Sequence, residues 1–544
     1  HVGVPGYDDR WTDVSLEAIA QRQRDQRQFF AELKAIDSSE LDADAQLDRE
    51  LIQKGLQRSI EEFRFHSEYL AINQLGGVHQ DVPQLMASMP ANSISDYENR
   101  LARLRAVPVL VEQTLVLLDR GLSAGITPPR ITLRDVPQQV RNLITEDAAD
   151  SPILSSFAEI PDAIPAKVRT RLQREAERIL VADVYPAYRD LLKYLEQTYL
   201  GKARETIGQS AMPNGKEWYA YNTRYHTTTD LTPKAIHEIG LAEVERIRGE
   251  MEKIIRDLGF DGSFTEFAEF LRTDPQFYFD TQEEFLTAYR AICKRADPEL
   301  VRLFGRLPRL PYGVKPVPDY KDMSAPTAYY EPGSLAAGRP GAFFANTYDL
   351  ATRPSWEMEV LSLHEAVPGH HLQIALAQEL EGTHDLLKYN FYTAFVEGWG
   401  LYAESLGGEM GFYQSPYSKF GRLTYEIWRA IRLVVDTGIH ALGWSRERAI
   451  DFFKQNAPKT EHDIVVEVDR YIVWPGQALA YKIGELKIQE LREHAQRRLG
   501  SAFDVRSFHD QVLLRGAMPL DVLEQRIHDW VERIRQQNLK PKGA

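Results

Sequence analysis

The chain has a single cysteine, Cys293, among its 544 residues, which excludes an internal disulfide and any Cys-rich metal site. Cys293 lies in Ala291-Ile-Cys-Lys294 on a helical pattern and reads as a small buried hydrophobe rather than a nucleophile. Uncharged apolar runs of about 18 residues are missing, so no transmembrane segment is expected. Positive charge is in deficit. With 65 Lys and Arg against 79 Asp and Glu, the formal net charge of −14 has the wrong sign for a phosphate-binding surface, so nucleic acid is excluded as a partner. Internal repeats and low-complexity tracts are absent too. The chain begins at His1 rather than Met, which predicts an upstream piece, a removed signal or a cut. That leaves two expectations open, an exported protein, periplasmic or lipid-anchored, whose signal region is absent here, or a cytoplasmic one; cysteine count does not decide, because exported bacterial proteins can lack disulfides.

What is present is helical periodicity. At 43% apolar and 26% charged, the composition is that of a globular protein with a large core. Residues 15–36, 40–74, 95–123, 166–200, 233–258 and 281–304 read as amphipathic helices rich in Leu, Ala, Glu, Arg and Gln. Thr232-Pro233 supplies a cap and a proline at the first helical position. The Pro-rich interval from Leu307 to Pro318 marks a linker or long loop. Gly341–Tyr348 is the best strand candidate, with Tyr329-Tyr330 as a pairing partner and an edge that could hold extended substrate. The expected fold is mainly α: a single catalytic unit over 1–544 with an N-terminal lobe, 1–230, a C-terminal lobe, 231–544, a deep cleft and one small sheet near residues 326–350.

The most informative stretch is Ser362-Leu-His364-Glu365-Ala-Val-Pro368-Gly369-His370-His371-Leu-Gln373. An HExxH helix sets two histidines four apart on one face, where both reach one zinc with the Glu beside them as base. Here the histidines follow six and seven residues after His364. On a straight helix the sixth residue points about 240° away and the seventh lies about 10 Å higher. Pro368 removes a helical N–H and clashes with the His364 carbonyl, and Gly369 admits unusual backbone angles. A bulge at Val367-Pro368-Gly369 is the way to bring a second histidine back. Glu397, 27 residues beyond His370 (397 minus 370), is flanked by Phe395, Val396 and Trp399; a carboxylate in apolar surroundings needs a partner. Two histidines and one Glu with an open position form the ligand set of a catalytic zinc site. Glu365 is then the base that activates water at the metal. His237-Glu238 also begins with HE, but Leu241 occupies the fourth position and no carboxylate block follows, so the case for His364 rests on its partners.

Together, HEAVPGHHLQ, FVEGWGLYAE and RYIVWPGQALAYKIGE resemble the bacterial domain-of-unknown-function family 885, itself similar at a distance to the helical thimet-oligopeptidase-like and Taq-type zinc metallocarboxypeptidases, a gluzincin-like group. Matches to the latter fall mainly between about residues 320 and 490. Those enzymes carry HExGH, a Glu ligand some 25 residues on and often a second Glu one heptad later. The resemblance implies one zinc held by His364, His370 and Glu397, with Glu404 as the later Glu. Two extra residues separate Glu365 from Gly369, so His370 or His371 supplies the second histidine; the Gly-His pair of the relatives favours His370. His371, Gln373 and Glu404 are candidates to orient the ligands. The relatives' Gly- and Tyr-rich block is similar to Pro475–Gly484 and points to Tyr481 as the oxyanion donor, with Arg470 and Tyr471 next.

Arg432, Asp436 and His440 recur every four residues and share a helix face. That face either salt-bridges internally or presents Arg429 or Arg432 to a substrate carboxylate and His440 to the reaction centre. Tyr330, in the expected partner of that strand, is a further candidate substrate contact. The leading expectation is a zinc metallopeptidase-like hydrolase acting on short peptides, as an oligopeptidase or carboxypeptidase. The alternatives are a metal-dependent amidohydrolase of non-peptide amides, and a metal-free peptide-binding protein that keeps the fold. Non-haem Fe(II) also takes two His and a carboxylate, but the adjacent Glu365 favours hydrolysis. Oligomeric state is open, a homodimer included.

Overall fold

Helices account for about 70% of the chain, and one three-stranded sheet completes a mainly α fold. The computed structural model describes residues 6–318, 325–334 and 338–539. The chain divides into two units, His1–Trp218 and Tyr219–Ala544.

The first unit is built on the helix Ile94–Ala124, whose start is a reciprocal Ser93–Asp96 capping box. Its Tyr97, Leu101, Leu104, Val107, Val111 and Leu118 recur three, four or seven apart and enter the core with Val82, Met86, Leu172, Ile179 and Tyr188. Arg100 is 1% exposed beside that core. Its guanidinium donates to the carbonyls of Met86, Met89 and Pro90, the free C-terminal end of the helix Val78–Ser88. The long segment 166–200 stays helical throughout but is relieved by two π-helical turns, Leu180–Val184 and Leu195–Tyr199. The stretch expected to be helical over 40–74 stops at Glu62; short turns follow, and His66 takes a left-handed φ of 53° that no helix continues through.

In the second unit, β1 (Tyr312–Pro316), β2 (Ala328–Glu331) and β3 (Gly341–Ala345) form a sheet in the order β1-β3-β2, parallel on one side and antiparallel on the other. β1 lies inside the Pro-rich interval that reads as loop in the sequence. Pro316 is tolerated there because it ends an edge strand, where a missing N–H costs no ladder bond. β3 is the middle strand rather than an edge, so both its hydrogen-bonding sides are used and it cannot take up a substrate strand.

Helix packing places the site. The helix Pro416–His440 is buried over most of its length and crosses Pro233–Asp257 at Gly240, where an added Cβ would stand 2.7 Å from Leu433 Cβ. Lys482 on the helix Ala480–Leu499 is fully buried, with Nζ 2.8–2.9 Å from carboxylates of Glu243, Glu426 and Glu485. A buried ammonium needs such partners, and here they tie three helices together. Cys293 is buried, and burial pushes its thiol up to about 12. His237 packs against Trp444 and bonds Thr437 Oγ1 at 2.8 Å.

Candidate metal centre

The helix Met358–Glu365 stops one residue after His364, and a new helix, His370–Gln378, starts after Gly369. Between them Ala366 and Gly369 leave helical geometry, with ψ of −113° and −128°, and the Val367–Pro368 peptide is cis. Only glycine fits at 369, because a Cβ there would lie 1.9 Å from the His364 carbonyl oxygen. The Pro368 carbonyl is held at 2.8 Å by the indole N–H of Trp399, on the helix Thr393–Leu406. That helix also carries Glu397, so one contact fixes the break against the element that bears this carboxylate.

The outcome is a cluster. Ligand atoms of His364, His370 and Glu397 lie within 4.8 Å of one another. Both imidazole Nε2 atoms stand 3.6 Å from Glu397 Oε2, and the two rings are nearly perpendicular, at 85°. Zinc bonds of about 2.0–2.1 Å at tetrahedral angles put ligand atoms about 3.3 Å apart, so each histidine needs to close on Glu397 by only a few tenths of an ångström. His364 Nδ1 donates to Glu404 Oε1 at 2.8 Å. A carboxylate oxygen accepts this bond, so Nδ1 carries a proton and Nε2 is the nitrogen turned to the cluster. Burial works against a charged imidazole, but hydrogen bonds to Glu397 and Glu404 outweigh it and carry the His364 pKa up to about 9. Burial likewise opposes ionisation of Glu397, yet the two histidines hold its carboxyl well below the ordinary range. Such buried negative charge suits a cation, and the donors fit one. Glu365, next to His364, is also buried.

His371 is placed elsewhere. Its Nδ1 accepts from the Tyr330 hydroxyl at 2.8 Å and its Nε2 donates to the Leu310 carbonyl at 3.0 Å. Burial lowers its pKa to about 4. With both nitrogens committed, this imidazole fastens the sheet to the helix His370–Gln378 and has no lone pair for an ion. The same bond uses the Tyr330 hydroxyl. Gln373 is buried, and its Oε1 has no partner among the described residues.

A second layer surrounds Tyr481. Gly398 and Gly484 let the Glu397 helix and the Tyr481 helix meet backbone to backbone; a Cβ on Gly398 would be 2.5 Å from Gly484 Cα. Burial and then the nearby Glu397 charge push the Tyr481 phenol up, so it stays a proton donor. The Arg432 guanidinium stands 4.5 Å over its ring, and Gln477 reaches its hydroxyl at 3.5 Å. Arg432 Nε donates to the Tyr471 hydroxyl and Nη2 to Glu467, each at 3.0 Å, while buried Nη1 has no partner among the described residues. Arg470 shares Glu467 and also donates to Gln477 Oε1 at 2.8 Å. Tyr471 is buried, donating to Glu467 at 2.6 Å. Arg429 turns to Glu404 instead, at 3.4 Å. His440 is 0% exposed, donates from Nε2 to the Tyr471 carbonyl at 3.0 Å and packs on Tyr219; it braces the Tyr471 backbone rather than facing a substrate. Asp436, equally buried, accepts from the Tyr219 hydroxyl and the Gly476 N–H, and Gly476 needs its φ of 85° to present that N–H.

The model of the family described as bacterial protein of unknown function (DUF885) matches residues 1–527. The chain belongs to the DUF885 family. One similar solved structure is described as "the putative lipoprotein from Colwellia psychrerythraea", at 30% identity and TM-score 0.92, covering 97% of this chain and 93% of that one. A second, "a putative lipoprotein of unknown function from Shewanella oneidensis", shares the fold at 18% identity and TM-score 0.74, over 96% and 95% of the two chains. An M32 carboxypeptidase from Deinococcus radiodurans R1 follows at 14% identity and TM-score 0.35, covering 95% and 96%, a likeness that carries no argument. No curated protein matches the sequence. In this DUF885 protein, sequence reasoning missed Glu467 and Gly400. Glu467 lies three and four residues before Arg470 and Tyr471, a helical spacing that announces the contact. Gly400, whose added Cβ would stand 2.6 Å from the His364 ring, carries no local signal beyond being a helical glycine.

Proposed function

We propose that this protein is a zinc-dependent peptidase that hydrolyses short peptides and holds them by a free C-terminal carboxylate. The observation that carries the reading is the convergence of His364, His370 and Glu397 donors beside Glu365. Zinc, when bound by those three residues, supplies Lewis-acid polarisation and lowers the pKa of water towards 7. Glu365 takes the proton of the attacking water and passes it to the leaving amine. The Tyr481 phenol, kept protonated, donates to the developing oxyanion without adding a competing charge. Arg432 is 8% exposed and has a buried nitrogen without a partner among the described residues, while two arginines share the carboxylate of Glu467. The buried surplus of positive charge supports recognition of a substrate carboxylate, to which a guanidinium is matched. The likeness to a structure described as a lipoprotein supports an exported, lipid-anchored setting.

The test is a mass-spectrometric digest of a peptide library in free-acid and C-terminally amidated forms, with and without chelator. Chelator-sensitive cleavage that prefers free acids, and a raised KM for them in Arg432→Gln, is expected. Equal cleavage of both forms removes the carboxylate from the reading, and cleavage indifferent to chelator removes the metal.

A further inference from the structure

Arg429 does not have the environment of a substrate-binding arginine. Its Nη1 donates at 3.0 Å to the Tyr425 carbonyl one turn back, and its Cζ stands 4.8 Å over the Tyr425 ring. Tyr425 is itself anchored: its hydroxyl donates to Glu357 at 3.0 Å, and Glu357 pairs with Lys459 at 2.9 Å. The guanidinium, in a residue 7% exposed, is thereby clamped on one side by a fixed aromatic residue. On the other side Nη2 stands 3.4 Å from Glu404 Oε1, the oxygen that accepts the His364 Nδ1 proton at 2.8 Å. Glu404 is 2% exposed, so its orientation is set by these two contacts rather than by solvent. Arg432, one turn further along the same helix, faces Tyr471, Glu467 and the Tyr481 ring instead; each guanidinium keeps one buried nitrogen without a partner among the described residues, Nε in Arg429 and Nη1 in Arg432.

We infer that Arg429 is a positioning residue of the metal centre: it fixes Glu404, and through Glu404 the tautomer and orientation of His364. This rests on the metal reading proposed above and divides the labour of the two arginines, Arg432 facing substrate and Arg429 facing the ligand shell. Hydrogen-bond partners of metal-bound imidazoles typically contribute about 10–100-fold to metal affinity. An arginine that acts only through Glu404 therefore weakens metal binding when replaced, and adds nothing once Glu404 is gone.

The experiment uses the full chain as Arg429→Met, Arg429→Lys, Glu404→Gln and the Arg429→Met/Glu404→Gln pair. Zinc affinity is read by chelator competition and ligand geometry by the absorption spectrum of the cobalt(II)-loaded protein, with thermal melting as the check on folding. Expected are a loss of about 10–100-fold in zinc affinity and an altered cobalt spectrum in Arg429→Met, partial rescue by Arg429→Lys, and a double variant no worse than Glu404→Gln. Wild-type affinity and spectrum in Arg429→Met, or additive losses in the double variant, overturn the inference. If Arg429→Met fails to fold, Arg429→Lys alone and combined with Glu404→Gln completes the same cycle. These readouts need no turnover, so a metal-binding protein that cleaves no peptide refutes the peptidase reading and leaves this one standing. A wild-type chain that binds no metal refutes both.

Discussion

Replacing Gly400 by alanine asks whether the Glu397 helix sets His364 by direct contact. The added Cβ would lie 2.6 Å from His364 Cε1 and 2.9 Å from Nε2, where ordinary contact begins near 3.4 Å. The ring must retreat by about 0.8 Å, whereas ligand distances in a working metal site hold to about 0.2 Å. The helix itself cannot yield easily, because Gly398 two residues earlier is against the Gly484 backbone. Overpacking costs about 1–3 kcal/mol, and removing a helical glycine returns about 1 kcal/mol. Net stability should therefore fall by about 0–2 kcal/mol, while zinc affinity should fall by at least the roughly 10–100-fold seen when an imidazole loses its support. Chelator competition and thermal melting separate the two effects. Gly249→Ala is the control, since an added Cβ there meets nothing within 4 Å; it should leave affinity untouched and stability unchanged or raised. A Gly400→Ala protein with wild-type zinc affinity and an unchanged cobalt(II) spectrum would refute the argument.

Glu365→Gln should keep stoichiometric metal and lose turnover by about 10²–10⁴-fold; loss of metal instead would make Glu365 a ligand. Tyr481→Phe should lower kcat by about 10²–10³-fold with little change in KM or melting. Tyr471→Phe should do the reverse, because it strips partners from Arg432 and Glu467 in the interior, at a cost of about 1–3 kcal/mol; equal behaviour of the two would end the Tyr481 assignment. For Asp436, burial raises the pKa to about 7 against the hydrogen bonds from Tyr219 and Gly476. A folded-state pKa above the unfolded value of about 3.9 means the native state binds the extra proton. Its contribution is thus largest in acid and is lost as pH rises from about 4 to about 7. Melting temperatures of wild type and Asp436→Asn, compared across that window, should show wild type losing ground as pH rises; parallel curves would contradict this.

The helices were legible because their apolar residues recur at the helical period, and the candidate metal residues because HEAVPGHH is senseless on a straight helix. Pro368-Gly369 said where the break must fall, but which histidine it returns depends on backbone angles set by the Trp399–Pro368 contact, 31 residues away in sequence. β1 was hidden because prolines that usually mark loops also end edge strands. The middle position of β3 could not be read without knowing that β1 lies beside it. Arg429, Arg432 and His440 share a helix face in the sequence, and only packing separates them, towards Glu404, Tyr481 and the Tyr471 carbonyl.

The central claim is that His364, His370 and Glu397 hold one catalytic metal ion. Metal content of the purified protein, measured by plasma mass spectrometry after zinc loading and dialysis, tests it most directly. The wild type and His371→Ala should each carry one zinc per chain, and His364→Ala, His370→Ala and Glu397→Gln should carry none while remaining folded. Full occupancy in His370→Ala with loss in His371→Ala, or no zinc in the wild type, would contradict it.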